Sequence, residues 1–263
     1  MASNRSSSWF GAFLFFLTLT TAVQALTPAP FETHVCPVCR HSFEPRLAGS
    51  GTQTGMRLDF RPLGPIASPW PIPDCPNCHN VWFPSETAPP ATRELQTVSK
   101  TVRSAAYVRL ASAPSYHRLA VTSEALKKPA RELAMLWLAA GWQWEGTTNR
   151  VQERACRGRC ASWLDRHLDS QSTKNGAPDF EAVLLRADLF RRAGDFDKAT
   201  AWLNRWAPQP AFHSGLAPRI IARQRLLVAA RILHPEPLED PSARRPGKPL
   251  KARPLKLAPP AGH

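Results

Sequence analysis

Two short cysteine pairs constrain this chain more than any other feature of its sequence. The first is Cys36-Pro37-Val38-Cys39, the second is Cys75-Pro76-Asn77-Cys78, and 35 residues separate them. Each pair can form a tight turn that presents two thiolates on one side, and the proline after the first cysteine fixes φ for that turn. Two such turns complete a tetrahedral site. The pattern predicts a zinc-ribbon-like module in which Cys36, Cys39, Cys75 and Cys78 bind a structural zinc ion.

The first 25 residues have the composition of a secretory signal peptide. Arg5 is the only charged residue before Glu32, and an apolar run over residues 9–19 leads to the small-residue exit Val23-Gln24-Ala25. This order of features is typical of a cleaved export signal. We therefore expect cleavage after Ala25 and a periplasmic or other extracytoplasmic location. The alternative is an uncleaved N-terminal anchor, although the apolar run is shorter than the about 20 residues of a membrane span.

Export gives the four cysteines two other interpretations. In an oxidising compartment they can form structural disulfides, or one pair can act as a thiol oxidoreductase with a lowered thiol pKa. A thioredoxin-like site needs a helix that opens at the motif, whereas Pro45 closely follows the first pair and the strand-like segment 80–83 follows the second. We expect Val35, Phe43 and residues 81–83 to form short strand pieces that pack over the metal.

Composition divides the chain into four segments. Residues 1–25 are the predicted signal peptide, residues 26–87 form the proline- and glycine-rich cysteine module, and residues 88–233 have helical periodicity. Residues 234–263 are expected to be a disordered basic tail, because residues 241–263 hold six basic residues, six prolines and no acidic residue. Hydrophobic residues make up 43% of the whole chain. The cysteine module and the helical segment together therefore have enough apolar side chains for a packed core.

The third segment predicts a mainly α fold. Gly194 followed by Asp195 divides its clearest stretch into two helices, since glycine is a common helix C-cap and aspartate favours a helix start. Small and large residues in this pair have tetratricopeptide-like (TPR-like) spacing. We expect a TPR-like α-helical array whose concave face binds a peptide or protein partner. The sequence predicts helices at residues 116–126, 133–144, 151–168, 182–193, 195–203 and 219–233, with the tryptophans used for core and inter-helix packing.

Cys156 and Cys160 form a third pair with a different spacing. At i and i+4 on a helix they share one face. They can be small buried residues, or a disulfide across a loosened turn near Gly158, although a regular helix does not orient the Cβ vectors ideally for that bond. A second metal site with His167 is a weaker interpretation, because no fourth ligand is evident in the sequence.

The net charge suggests contact with anionic surfaces, and the motif content suggests no catalysis. The formal net charge of +14 and the basic tail suit weak contact with an anionic membrane or cell-wall surface. Nucleic acid is not expected as a partner of an exported protein. The sequence contains no glycine-rich phosphate loop, no HExxH and no GxSxG motif. We therefore expect a non-enzymatic binding or scaffold protein.

The sequence resembles a family of uncharacterised bacterial proteins that join a CPxC zinc-ribbon-like part to TPR-like helices. The resemblance is carried by the two CPxC motifs, by Phe43, and by the runs 133–142 and 191–196. It covers residues 34–207 and implies a zinc-ribbon and TPR-like architecture with no established activity. His79 departs from the family, which usually has glycine there to ease a positive φ. A signal peptide is also a departure from many members.

Overall fold

From Thr92 onward helices dominate the fold. The computed structural model describes residues 27–28, 32–84, 91–172 and 178–239. Its α-helices are α1 (Thr92–Val102), α2 (Ala105–Val108), α3 (Ser115–Ala125), α4 (Ala130–Glu145), α5 (Arg150–Ser172), α6 (Phe180–Ala193), α7 (Phe196–Trp206) and α8 (Ala217–Ala229), with a 3-10 turn at Pro210–Phe212. The predicted mainly α class with a small N-terminal cysteine module is confirmed. Helices α1 and α2 had no counterpart among the predicted helices.

The cysteine module contains only very short strands in its described residues. They form three antiparallel pairs: β1 (Thr27–Pro28) with β4 (Ala48–Ser50), β2 (His34–Val35) with β3 (Ser42–Phe43), and β5 (Gly55–Met56) with β6 (Pro62–Leu63). The many prolines explain this irregularity, because proline cannot donate the backbone hydrogen bond that extends a ladder.

Local capping explains where several helices begin and end. The Asp179 side chain accepts a hydrogen bond from the Ala182 backbone N–H at the start of α6, and Ser104 does the same for Tyr107 in α2. Gly194 ends α6 in the left-handed region with φ of 87°. Glycine adopts this conformation without a Cβ clash, so the predicted helix boundary at Gly194 is confirmed.

Helix α4 lies at the centre of the core, where it packs against α3 and α5. Helix α6 packs against α5, α7 and α8. Leu58, Ile72 and Val81 of the cysteine module join the same buried cluster, so the two parts share one core. The tryptophans Trp137, Trp142, Trp144, Trp163, Trp202 and Trp206 lie in or against this core, as predicted.

The predicted start of the disordered tail at residue 234 is wrong. Residues 232–239, the C-terminal strap, fold back onto the cysteine module. The backbone N–H of Leu58 donates to Glu236 O, and that of Leu238 donates to Met56 O. The Arg191 guanidinium donates to the carbonyls of Ile232 and His234 at 2.5 and 2.9 Å. The composition of the C-terminal strap did not predict its ordered structure, because that order depends on contacts with distant parts of the chain.

Two predicted segments lie outside the described residues: the signal peptide at 1–25 and the basic stretch at 241–263. Within the parts of the chain that the structure describes, no helix has the length and apolar character needed to span a membrane.

Candidate metal centre

The four cysteines of the two CPxC pairs meet at one point. The Cys36 and Cys78 sulfurs are 3.6 Å apart, the Cys39 and Cys75 sulfurs are 3.5 Å apart, and all four sulfurs lie within 4.8 Å of one another. Tetrahedral zinc with bonds of about 2.3 Å would place its sulfurs about 3.8 Å apart. All four are free cysteines, and Cys36 and Cys75 are fully buried. The predicted ligand set is therefore brought together within metal-binding distance.

The two pairs form matching turns. In the first, the Arg40 N–H donates to Cys36 O at 3.0 Å and the Cys36 N–H donates to His41 O at 2.9 Å. In the second, the His79 N–H donates to Cys75 O at 2.8 Å and the Cys75 N–H donates to Asn80 O at 2.9 Å. The residue after the last cysteine of each pair, Arg40 or His79, has a positive φ of 62° or 58°. This left-handed residue turns the chain back so that both thiols face the other pair.

Helices α2 and α3 hold the second turn in its left-handed conformation. The His79 carbonyl accepts hydrogen bonds from the Tyr107 hydroxyl at 2.8 Å and from Arg118 Nη1 at 2.7 Å. The buried Arg118 also forms a bidentate ion pair with Asp74, the residue that precedes Cys75. The turn therefore forms although position 79 carries a histidine with positive φ and not a glycine.

The surroundings shift the thiol pKa of Cys39 in one direction and those of Cys75 and Cys78 in the other. Burial raises the pKa of Cys39, but hydrogen bonds to the Asn77 side chain and to the His41 backbone outweigh that effect, and the pKa falls to about 6. Burial raises the pKa of Cys75 and of Cys78. A bound cation would stabilise all four thiolates, because it offsets the cost of burying several negative charges together.

The residues that flank the two cysteine pairs differ in burial and in their contacts. The rings of Phe43 and Trp82 meet edge to face, with centroids 5.9 Å apart, and Val81 is buried beside Asp74 in an isolated β-bridge. Val35 and Phe43 lie in the short strands β2 and β3, as predicted. Val35 and Phe83 are 52% and 48% exposed, so the prediction that these two pack over the metal was wrong. Phe83 instead contacts the Tyr116 ring of α3.

Cys156 and Cys160 lie on the continuous helix α5 as two free, fully buried thiols. The disulfide considered for them is not formed in this structure, because a regular helix keeps the two side chains in register one turn apart. Burial raises the Cys156 pKa to about 12, and its sulfur lies 3.7 Å from His117 Nδ1. His167 pairs with Asp179 at 3.1 Å instead of with either cysteine.

A buried ion-pair network joins the cysteine module to the helices, and sequence reasoning missed it. Arg57 Nη1 lies 2.6 Å from Glu145 Oε2, and Arg192 Nη1 lies 3.1 Å from Asp59 Oδ2. Trp142 Nε1 donates to the same Asp59 oxygen at 3.0 Å. Asp59 and Arg192 are separated by 133 positions, so no local spacing signals their contact. Every carboxylate named here is compensated by at least one guanidinium.

The network shifts the protonation of Glu145. Burial raises its pKa, but the hydrogen bond from Arg57 and the charge of Arg192 outweigh burial and lower the pKa to about 2. The same contacts raise the pKa of Arg57 against the opposing effect of burial. The pair is therefore ionised at neutral pH, and its charges hold the two parts of the molecule together.

One known family matches most of this chain. A family model described as an uncharacterised protein conserved in bacteria (DUF2225) matches residues 31–228. The chain belongs to the DUF2225 family. The match includes both CPxC pairs and extends through most of α8, which confirms the resemblance drawn from the sequence. No curated protein and no solved structure matches the chain.

Proposed function

We propose that this DUF2225 protein is an exported, non-enzymatic scaffold module whose fold is stabilised by a zinc ion bound to Cys36, Cys39, Cys75 and Cys78. The observation that carries the proposal is the convergence of four free sulfurs, within 4.8 Å of one another, from two matching turns. Zinc fits because it prefers tetrahedral thiolate sites and has no redox chemistry of its own.

The donor set supports a structural role for the metal. Four cysteines fill a tetrahedral shell and leave no coordination position for water or substrate, which catalytic zinc sites keep open. The contacts around the centre also point to structure. Tyr107 and Arg118 reach from α2 and α3 to the His79 carbonyl, so a metal at the cysteines fixes the position of the helices relative to the module.

The helical part is the proposed binding element. We propose that a peptide or protein partner binds the α-helical array, with a weaker contact between the basic tail and an anionic envelope surface. The sequence features of the N-terminus support export. Nucleic acid is not part of the proposal, because an exported protein meets little of it.

The first test is metal content together with position-resolved thiol labelling. Protein is purified from its native compartment without added metal or reductant, and labelled cysteines are located by mass spectrometry before and after a chelator is added. We expect about one zinc per chain and protection of the four CPxC cysteines until chelation. Absence of metal, with no labelling of these four even after chelation and denaturation, would mean disulfides and overturn the proposal. Cys156 and Cys160 should label only after denaturation, and they provide the internal reference.

A second candidate is an envelope thiol–disulfide protein, favoured by one observation. Cys39 is only half-buried, and its pKa is lowered to about 6, which is the range of reactive thiols. In that case the Cys39 thiolate of the metal-free protein would attack glutathione disulfide, which forms a mixed disulfide and releases one glutathione thiolate, whereas the zinc-bound protein would not react. Reaction of Cys39 at equal rates with and without zinc would exclude the structural centre.

A further inference from the structure

An open cleft lined by arginines lies away from the cysteine centre. Its volume is about 570 Å³, and it forms where the cysteine module near Arg61, the end of α4, the first turns of α5, the end of α6 and the C-terminal strap meet. Typical ligand sites have volumes of about 300–1,000 Å³, and the cleft lies within that range. The arginines that line it are Arg61, Arg150, Arg154, Arg157 and Arg192.

The cleft has an excess of positive charge. Glu145 and Glu153 are the acidic residues in its lining, so five guanidiniums face two carboxylates. Asp59 lies behind the cleft and is already paired with Arg57 and Arg192. The walls therefore have a net charge near +3, concentrated in a small and partly buried volume.

Several guanidinium donors remain available. Arg150, Arg154 and Arg157 follow one another along one face of α5, at i, i+4 and i+7. Arg150 and Arg157 each direct Nη1 to Glu153, which leaves Nε and Nη2 without a protein acceptor in the described part of the chain. Arg154 is exposed and has no hydrogen bond or ion pair with any described residue. These donors are available to an anionic ligand in the cleft.

Arg192 adds an observation from inside the protein. Its side chain is 2% exposed, and its two Nη atoms bind Asp59, Glu145 and Glu153. Its Nε is nevertheless buried without a hydrogen-bond partner in the described residues. A buried donor left without a partner costs free energy. Repulsion between the guanidiniums also shows the excess of positive charge. Burial is the largest cause that lowers the pKa of Arg157 and of Arg61, and the nearby charges of Arg192 and Arg57, respectively, lower them further.

We propose that this cleft binds a phosphate-bearing anion with at least two negative charges. A phosphate group presents several acceptor oxygens, and guanidinium groups bind it in bidentate fashion. A single carboxylate would neutralise only one of the excess charges, whereas a pyrophosphate or a phosphate ester would neutralise two or three. The volume leaves room for an organic group attached to the phosphate. This site is separate from the proposed zinc centre and goes beyond the proposed scaffold role.

The test is isothermal titration of the zinc-loaded, full exported chain with inorganic pyrophosphate. Arg154→Gln removes an exposed arginine that has no partner in the described residues, so the fold should be unaffected. Arg109→Gln is the matched control, because Arg109 is also exposed and lies after α2, outside the cleft. Both variants lose one positive charge. Any chelation of zinc by pyrophosphate would be the same in both.

We expect saturable binding that weakens about tenfold in Arg154→Gln and less than twofold in Arg109→Gln. Binding should also weaken as sodium chloride is raised, since the contact is electrostatic. Three results would overturn the proposal: no saturable binding to the wild-type chain, equal weakening in both variants, or citrate binding as tightly as pyrophosphate. Zinc content is measured on the same samples, so a failure here remains distinct from a failure of the zinc proposal.

Discussion

The cysteine module and the helical part of this molecule are stabilised in different ways. In the described residues 32–84, strands are two or three residues long, and the buried hydrophobic residues other than cysteine are Ala48, Leu58, Ile72 and Val81. The helical part has a continuous core built around α4 and α6. A helix forms its own backbone hydrogen bonds and needs only one face to be covered. The module lacks both advantages and depends on bonds that cross its sequence.

Besides the backbone hydrogen bonds with the C-terminal strap, two kinds of polar contact hold the module. One is the four-sulfur centre. The other is the set of ion pairs between the module and the helices, in which Arg118 binds Asp74 and Glu145 binds Arg57. This difference indicates that the module depends on these contacts for its fold. When either kind is removed, we expect the module to unfold before the helical part does. Four measurements test this, in order of decreasing effect.

Cys39→Ser should have the largest effect, because it removes one of the four proposed zinc ligands, and structural zinc contributes about 10 kcal/mol or more in small domains. We expect loss of zinc and rapid proteolysis within residues 32–84, with helix content by circular dichroism largely retained. Cys156→Ala is the matched control, since it removes a buried cysteine outside the centre. It should keep its zinc. Equal protease resistance of the module in both variants would contradict the comparison.

Arg192→Met should lower the free energy of unfolding by about 3–5 kcal/mol. It leaves Asp59, Glu145 and Glu153 short of their shared partner, and removal of one member of a buried network exposes uncompensated charge. Urea denaturation measures the change. Lys198→Met is the control, because its pair with Asp195 is exposed and should contribute less than about 1 kcal/mol. A loss below 1 kcal/mol in Arg192→Met would show that the network is not holding the two parts together.

Acid should weaken the same network. The pKa of Glu145 falls from 4.5 to about 2 on folding, so the folded state binds its proton less readily than the unfolded state. Its stabilisation is present above pH 4.5 and is lost as the pH falls towards 2. This contribution is up to about 3 kcal/mol. Glu145→Gln should flatten the pH dependence of the melting temperature between pH 5 and 2, and an unchanged slope would refute the assignment.

His79→Gly should have the smallest effect and the opposite sign. His79 has φ of 58°, a conformation that costs a non-glycine residue about 1 kcal/mol. Removing its side chain should stabilise the module by up to that amount, as seen in slower release of zinc to a chelator. Arg40→Gly at the matching position should behave alike. Faster zinc release in both variants would mean that the side chains contribute contacts that exceed the strain.

Much of this architecture could be predicted from local sequence. The CPxC pairs predicted the four-cysteine cluster because both the turn and its proline act within four residues. Gly194 predicted a helix end because its conformational freedom is a property of one residue. Helical periodicity located α3 to α8, where buried apolar residues repeat along one face. The tryptophans were correctly expected in the core.

What could not be predicted depends on contacts between distant residues. Asp59 and Arg192 are 133 positions apart, and nothing in the flanking sequence of either residue identifies the other. The order of residues 234–239 likewise comes from hydrogen bonds to Met56 and Leu58. Helix α1 was missed because it buries little, with Val102 as its buried residue. The arginine cleft was missed because its walls come from five separate segments of the chain.

The C-terminal strap has a consequence for the order in which the protein is made. Residues 56–58 leave the ribosome long before residues 236–238, to which their backbone is hydrogen-bonded. Contacts of such long sequence separation form late in folding. Until residues 236–238 are available, the module is therefore without its hydrogen bonds at Met56 and Leu58, whereas its four cysteines all lie within residues 36–78. Metal loading would then precede, and prepare, the final closure of the fold.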